Sequence, residues 1–599
     1  MAENKKDIAW DLSQVFPNID DPSINKTLEK LSEKVTSLER KYKGNITSLD
    51  ALGLQELLQD FEDYLKDQQE IRIYANLSYA ANMIDAKIQS LRDRANKLGA
   101  EWQKKLAFLD LEIGKLVFDK PEYIEDPLLA QFKHYLECLY REVPHLLSEI
   151  EEQLVIEKDQ YGINAWAELQ GKWLNTRKFE VEIEGEKKNL SYGEANGLLH
   201  HPDRATRESA NKSIYTLLGK DGSDIFAAAL RSICNDWVNI TKRRKYDSEL
   251  HGSLIANDTE DEIIESLMKA IDEGSTVYRR YLKIKARLLN LPKLKHYDVV
   301  APISSSSGTT YSWESAKELV LNAYKQFSPT FAQYTEDMYK RNNIDASPRY
   351  GKRNGAFCTS WYKGKSAYML QSFNGSLADI YTLGHEIGHA IHAYFISRNQ
   401  NILNSLTPMV VAETASTFGE LLLTDLLLKK ASKEEKIAIL CHVLDDAGQA
   451  AFQVSARKWF EQDLYDAINR GEYLDYKTIC NYWTKNRDRI YADAVEFEDE
   501  FMESEWTMKG HYYIPNFRFY NYPYVYAQLF VYALYQKYID EGPGMVPKFE
   551  KALATGSSKS PKEIAEIFGL DVTDPEFWKL GIKRYESFVN QLEELLIEQ

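Results

Sequence analysis

Apolar residues follow two rhythms along this chain. Ile24, Leu28, Leu31, Val35 and Leu38 recur at steps of four, three, four and three. That spacing puts them on one stripe of an amphipathic helix. Asp21-Pro22-Ser23 stands just ahead of them and marks a helix start. Residues 55–116 continue in the same manner, rich in Leu, Ala, Lys, Glu and Gln. Such stripes fit a coiled coil, but ordinary helix-on-helix packing is the simpler reading. The second rhythm has a period of two. Phe179-Glu180-Val181-Glu182-Ile183-Glu184 alternates apolar and acidic residues and predicts a short strand ending at Gly185. Gly355 to Tyr362, a turn at Lys363-Gly364-Lys365, and Ser366 to Phe373 predict a hairpin. It feeds directly into a helical segment.

His200-His201-Pro202-Asp203 breaks the pattern, and helical periodicity resumes from Arg204. The main boundary is placed there, giving an N-terminal helical lobe over 1–200 and a second domain over 201–599. A loop around Ser304-Ser305-Ser306-Ser307-Gly308 interrupts the second part. With 599 residues the chain exceeds what one hydrophobic core usually organises. Only 29 Gly and 17 Pro punctuate it, and so few helix breakers favour a mainly α fold.

The formal net charge of −17 argues against a nucleic-acid partner, which would require a basic face. The short basic run Lys242-Arg243-Arg244-Lys245 reads as a solvated helix end. Cys138, Cys234, Cys358, Cys441 and Cys480 lie far apart with no CxxC, so no disulfide framework is expected. The first residues lack an apolar signal-like run, and no apolar stretch approaches a membrane span. Together these predict a cytoplasmic protein with no membrane partner.

The chemistry concentrates in Leu383-Gly384-His385-Glu386-Ile387-Gly388-His389-Ala390, which contains HExxH. Residues i and i+4 share a helix face, so His385 and His389 can converge on one ion. Glu386 sits beside that face, where a carboxylate can take a proton from a metal-activated water. Catalytic zinc keeps three protein ligands and one open position. Between Ala390 and Ala412 there is no Asp, Glu or Cys, and the only imidazole is His392. The first downstream carboxylate is Glu413, far enough along for a second helix to return and present it. Three imidazoles from one short helix fit a tetrahedral ion poorly, so His392 is assigned to packing or to support of the ligands. Glu420 shares a helix face with Glu413. It either hydrogen-bonds a ligand histidine or faces solvent.

Water attack on an amide also needs donors aimed at the developing oxyanion. Residues 510–526 are dense in phenols and carry one imidazole, His511. Phenol O–H and imidazole N–H groups can both donate. Composition leaves the choice among Tyr520, Tyr522, Tyr524 and their neighbours open.

The segments HEIGHAIHAYF, AETASTFGE and FYNYPYVYAQLF resemble the M3 family of zinc metallopeptidases, oligoendopeptidase F group. Trp10-Asp11-Leu12 and Tyr297-Asp298-Val299-Val300-Ala301-Pro302 resemble it too, so the likeness runs nearly end to end. The resemblance implies a mainly helical, two-lobed fold with a deep channel and a small sheet near the active site. It implies one zinc ion on His385, His389 and Glu413, with Glu386 as general base. By position, His511 and Tyr524 resemble the family's donors to the substrate carbonyl and oxyanion, with Tyr520 and Tyr522 as nearby substitutes. The strand Tyr368 to Phe373, including Leu370, resembles the edge to which a peptide substrate adds as an extra strand. The expected activity is endopeptidase cleavage of short oligopeptides. An exopeptidase, which would need a fixed counter-charge for a peptide terminus, and a non-catalytic peptide-binding protein are the alternatives.

Overall fold

The computed structural model describes residues 7–303 and 310–597. The expected loop at Ser304 to Gly308 lies outside them. Among the described residues helices dominate, and the sheets are small: two of two strands and one of three. Among the described residues no helix is long and apolar enough to cross a membrane. All five cysteines are free thiols.

The chain forms two compact units, each assembled from three segments. The first comprises Met1–Val143, Gly308–Leu426 and Tyr538–Leu570. The second comprises Pro144–Ser307, Leu427–Lys537 and Asp571–Gln599. The single boundary expected near residue 200 therefore does not divide them. Local periodicity cannot reveal that residues hundreds of positions apart share a core.

In the first unit, Asp21 caps helix Pro22–Tyr42 by accepting from the Ser23 N–H. Its stripe of Ile24, Leu28, Leu31, Val35 and Leu38 is buried throughout. Helices Ala51–Ala81, Ala86–Leu106 and Phe108–Asp119 share that core, so residues 55–116 form packed helices. Full burial of one such leucine is worth roughly 1.5–3 kcal/mol.

The three-stranded sheet also belongs to this unit. Phe357–Trp361 pairs antiparallel with Ser366–Leu370, from Phe357 opposite Leu370 to Trp361 opposite Ser366. This is the expected hairpin. A two-residue strand, Ile344–Asp345, pairs parallel with the other side of Ser366–Leu370, opposite Met369 and Leu370. Ser366–Leu370 is therefore the central strand. Helix Leu377–Asn399 packs on the hairpin.

In the second unit, strand Phe179–Ile183 turns at Gly185 (φ +83°) and pairs with Glu186–Leu190. The side chain of Asp203 caps helix Arg204–Asp221. Helix Pro575–Ile597 packs against Asp261–Leu288 and Lys433–Gly448. Between those two, buried Lys285 donates to Asp445 at 2.7 Å. The basic run at 242–245 is not wholly solvated: Arg244 is half-buried and pairs with Glu152 at 2.8 Å.

Candidate metal centre

The HExxH motif lies on helix Leu377–Asn399, whose start is fixed by a capping box. Ser376 Oγ accepts from the Asp379 N–H, and Asp379 Oδ2 accepts from the N–H groups of Ser376 and Asn374. Two orphan donors at the helix start are thereby satisfied and the chain's entry from the central strand is set. One turn further on, the buried Tyr324 hydroxyl donates to the Gly384 carbonyl at 2.7 Å.

A second helix, Thr414–Leu428, follows the short helical turn Met409–Ala412, and Glu413 sits at their junction. The two helices approach closely at Gly388. A Cβ there would stand 2.5 Å from Ser416 Cα and 2.6 Å from the Ala415 carbonyl oxygen. Only a residue without a side chain permits that contact, and it brings Glu413 to the histidines.

His385, His389 and Glu413 gather one ligand atom each. His385 Nε2 and His389 Nε2 both lie 3.3 Å from Glu413 Oε2 and 3.1 Å from each other. A tetrahedral zinc ion with N and O ligands at about 2.0–2.1 Å holds them about 3.3 Å apart. The separations therefore match the edges of such a polyhedron. The polar logic agrees. His385 Nδ1 lies 2.6 Å from Glu420 Oε1, and as donor in that bond it leaves the Nε2 lone pair facing the Glu413 oxygen. At that distance a cation, either a proton or a metal ion, lies between the two atoms.

Electrostatics points the same way. Burial opposes a charged His385 ring, but the hydrogen bond to Glu420 and the charges of Glu413 and Glu386 raise its pKa to about 9. Burial would raise the Glu413 pKa, yet the two histidines and Ser416 pull it down to about 2. Negative potential thus accumulates where a cation would sit. Burial raises the Glu386 pKa, an effect the two histidines oppose. Glu386 is 7% exposed, and its Oε2 has no hydrogen-bond partner among the described residues. A buried, unpartnered carboxylate oxygen beside this cluster is suited to holding a water. His392 stays outside the set of three. It is buried, and burial with the nearby His389 lowers its pKa to about 4, so the ring is neutral.

Two contributors escaped the sequence reading. Ser416 Oγ donates to Glu413 Oε2 at 2.7 Å. Gly388 admits the neighbouring helix. The available signals were the three-residue spacing from Glu413 to Ser416, one helical turn, and the glycine inside the motif.

The substrate-strand expectation needs correction. Tyr368 and Leu370 are fully buried with Trp10 and Trp361, and the Tyr368 hydroxyl donates to the Asp11 carbonyl. Both edges of this segment are taken. Phe357–Trp361 pairs on one side, while the Met369, Gln371 and Phe373 N–H groups donate to the carbonyls of Asn343, Asp345 and Ala346. The two outer strands, Ile344–Asp345 and Phe357–Trp361, each keep one edge without a partner strand among the described residues.

His511, Tyr520 and Tyr524 lie in the second unit and stack together. The His511 ring is 4.8 Å from that of Tyr520 and 6.2 Å from that of Tyr524. Asn521 Oδ1 holds His511 Nδ1 at 3.1 Å. Burial, Arg457 and Lys509 lower the His511 pKa, an effect the Asn521 hydrogen bond resists. Tyr522 does not join the cluster. It is fully buried, and its hydroxyl donates to the Ser253 carbonyl at 3.1 Å.

Fold and site together define a helical metallopeptidase. The sequence model of peptidase family M3 matches residues 197–583, and that of Oligopeptidase F matches residues 121–179. The chain belongs to peptidase family M3 and is a metallo-oligopeptidase. Oligopeptidase PepF of Bacillus subtilis is 26% identical over 604 residues, covering 100% of this chain and 88% of that protein. The plasmid oligoendopeptidase F of Lactococcus lactis subsp. cremoris is 25% identical over 615 residues, covering 100% and 99%. Among solved structures, a chain from Chlamydophila abortus matches with a TM-score of 0.87 at 22% identity, covering 98% of each chain. Oligoendopeptidase-F from Enterococcus faecium matches with a TM-score of 0.70 at 24% identity, covering 96% of this chain and 99% of that one.

Proposed function

We propose that the chain is a zinc-dependent endopeptidase of short oligopeptides, acting in the cytoplasm. The observation that carries this is the near-equilateral set of donor separations among His385, His389 and Glu413, with the unpartnered Glu386 oxygen beside it. A zinc ion held by those three residues would supply Lewis acidity and lower the pKa of a water to about 7. Glu386 takes the proton that this water gives up as it attacks the scissile carbonyl. The same carboxylate then returns the proton to the leaving amine. Its raised pKa suits the first duty, because a carboxylate of too low a pKa takes protons up poorly. Glu420 holds His385 through Nδ1 and would leave Nε2 free to bind the ion. His511 and Tyr524, with Tyr520, are assigned as donors to the substrate carbonyl and the oxyanion. The names of the relatives, oligopeptidase and oligoendopeptidase F, support the oligopeptide substrate and the internal cut. Five free thiols support a reducing compartment, and the charge of −17 supports the absence of a nucleic-acid partner.

Glu386→Gln tests the assignment. The variant should bind zinc as the parent does and lose roughly 10²–10⁴-fold in kcat on an internally quenched peptide. Near-normal turnover would contradict it.

A further inference from the structure

A groove of about 810 Å³ opens beside the outer edge of Phe357–Trp361 in the first unit. One wall is the strand itself, from Phe357 to Ser360. The other is a face of helix Ala51–Ala81 running from Gln69 to Ala80. Eleven helical steps at about 1.5 Å make that wall roughly 16 Å long, room for about five residues of extended peptide. Cys358 joins this groove to the metal centre. It lines the groove, its strand packs on the motif helix, and its thiol, already raised by burial, is raised further by the Glu386 charge.

The charge of the groove is unlike that of the chain. The whole chain carries −17, yet Arg72, Arg92 and Arg353 line the groove and no carboxylate does. Arg92 and Arg353 contact neutral groups. Arg92 Nε lies 3.4 Å from Asn76 Oδ1 with its guanidinium over the Tyr79 ring, and the Arg353 guanidinium lies over the Phe357 ring. Arg72 and Arg353 are exposed. Arg72 stands on one turn of the helical wall. Arg92 is held at Asn76 and Tyr79, one to two turns further on. Arg353 lies past them, its N–H donating to the Ala80 carbonyl. The cations are thus strung along the groove. A single terminal carboxylate would need them converging on one point.

We infer that this groove selects oligopeptides with acidic side chains. The peptide adds as a strand to Phe357–Ser360, and its Asp or Glu side chains meet Arg72, Arg92 and Arg353. The inference rests on the peptidase reading for its biological sense, but the binding itself does not require turnover. Guanidinium groups suit this role because they pair with carboxylates in a planar, two-pronged fashion.

Two oligopeptides of one sequence, both amidated at the C-terminus, test it. They differ only in carrying three Glu or three Gln. Fluorescence anisotropy reads their binding to the full-length, metal-free protein, and kcat/KM is measured after zinc is restored. The Glu peptide should bind about tenfold more tightly at low ionic strength, with a smaller margin at high salt. In the Arg72→Gln, Arg92→Gln, Arg353→Gln variant the margin should fall to about twofold or less. Arg72→Glu alone should cut Glu-peptide binding further than Arg72→Gln does. Equal binding of the two peptides, or a margin that survives the triple variant, would overturn the inference. Cleavage of both peptides without preference would refute the groove's role and leave the peptidase reading standing. Preferential binding without any cleavage would do the reverse.

Discussion

Ser416 Oγ donates a 2.7 Å hydrogen bond to Glu413 Oε2, the very oxygen that both motif imidazoles face. The serine lies one helical turn after the glutamate and is fully buried, so its rotamer is fixed by its surroundings. It steadies the carboxylate without touching the ion's place.

Ser416→Ala should therefore weaken zinc affinity by about 10–100-fold, the usual effect of losing a partner that orients a metal ligand. A competition titration against a zinc chelator reads it. The circular dichroism spectrum should stay that of the parent, since only one hydroxyl is removed. Unchanged zinc affinity would show that Glu413 is held by other contacts.

Gly388 governs the approach of the two helices. In Gly388→Ala the new methyl meets backbone atoms of Ser416 and Ala415, which cannot swing aside as a side chain would. The expected cost is about 1–3 kcal/mol of stability, seen as a lower thermal midpoint. Zinc affinity should fall as well, because the helix that carries Glu413 is pushed away. A variant that keeps both properties would contradict the close contact.

Much of this arrangement was readable from the chain, and the unreadable part has a common cause. The helix Pro22–Tyr42 follows from its buried stripe and Asp21 cap, and the hairpin from its alternation and turn residues. The gathering of His385, His389 and Glu413 follows from i, i+4 spacing and from the lack of any earlier carboxylate after His389. Which hairpin strand is central was not legible. The deciding partner is the two-residue strand Ile344–Asp345, too short to show a period. Tyr368 looked available to a peptide for the same reason, since burial by Trp10, hundreds of residues away, leaves no local mark. The contact of Gly388 with Ser416 and the assembly of each unit from three segments are likewise tertiary facts.

Asp67 ties three parts of the first unit together. It accepts from Lys34 and from Lys363, each at 2.6 Å. Burial would raise its pKa, but the two lysines lower it to about 2. The folded value lies below the unfolded one of about 3.9, so the folded state releases the proton more readily. The resulting stability is full above about pH 4 and is lost as the pH falls toward 2. Discounted for solvent screening, it amounts to about 1 kcal/mol. Asp67→Asn should lower the thermal midpoint by about 1–2 °C at pH 7 and by progressively less as the pH drops toward 2. A difference that grows on acidification would contradict the assignment.

The most direct test is zinc titration of the metal-free protein, followed by cleavage of an internally quenched oligopeptide. Activity should be absent before zinc, rise linearly, and level off at about one equivalent, as three protein ligands with one open position require. Glu413→Ala should show no such break and little activity at that zinc level. Full cleavage in the presence of excess chelator, or an unchanged one-equivalent plateau in Glu413→Ala, would contradict the metal centre formed by His385, His389 and Glu413.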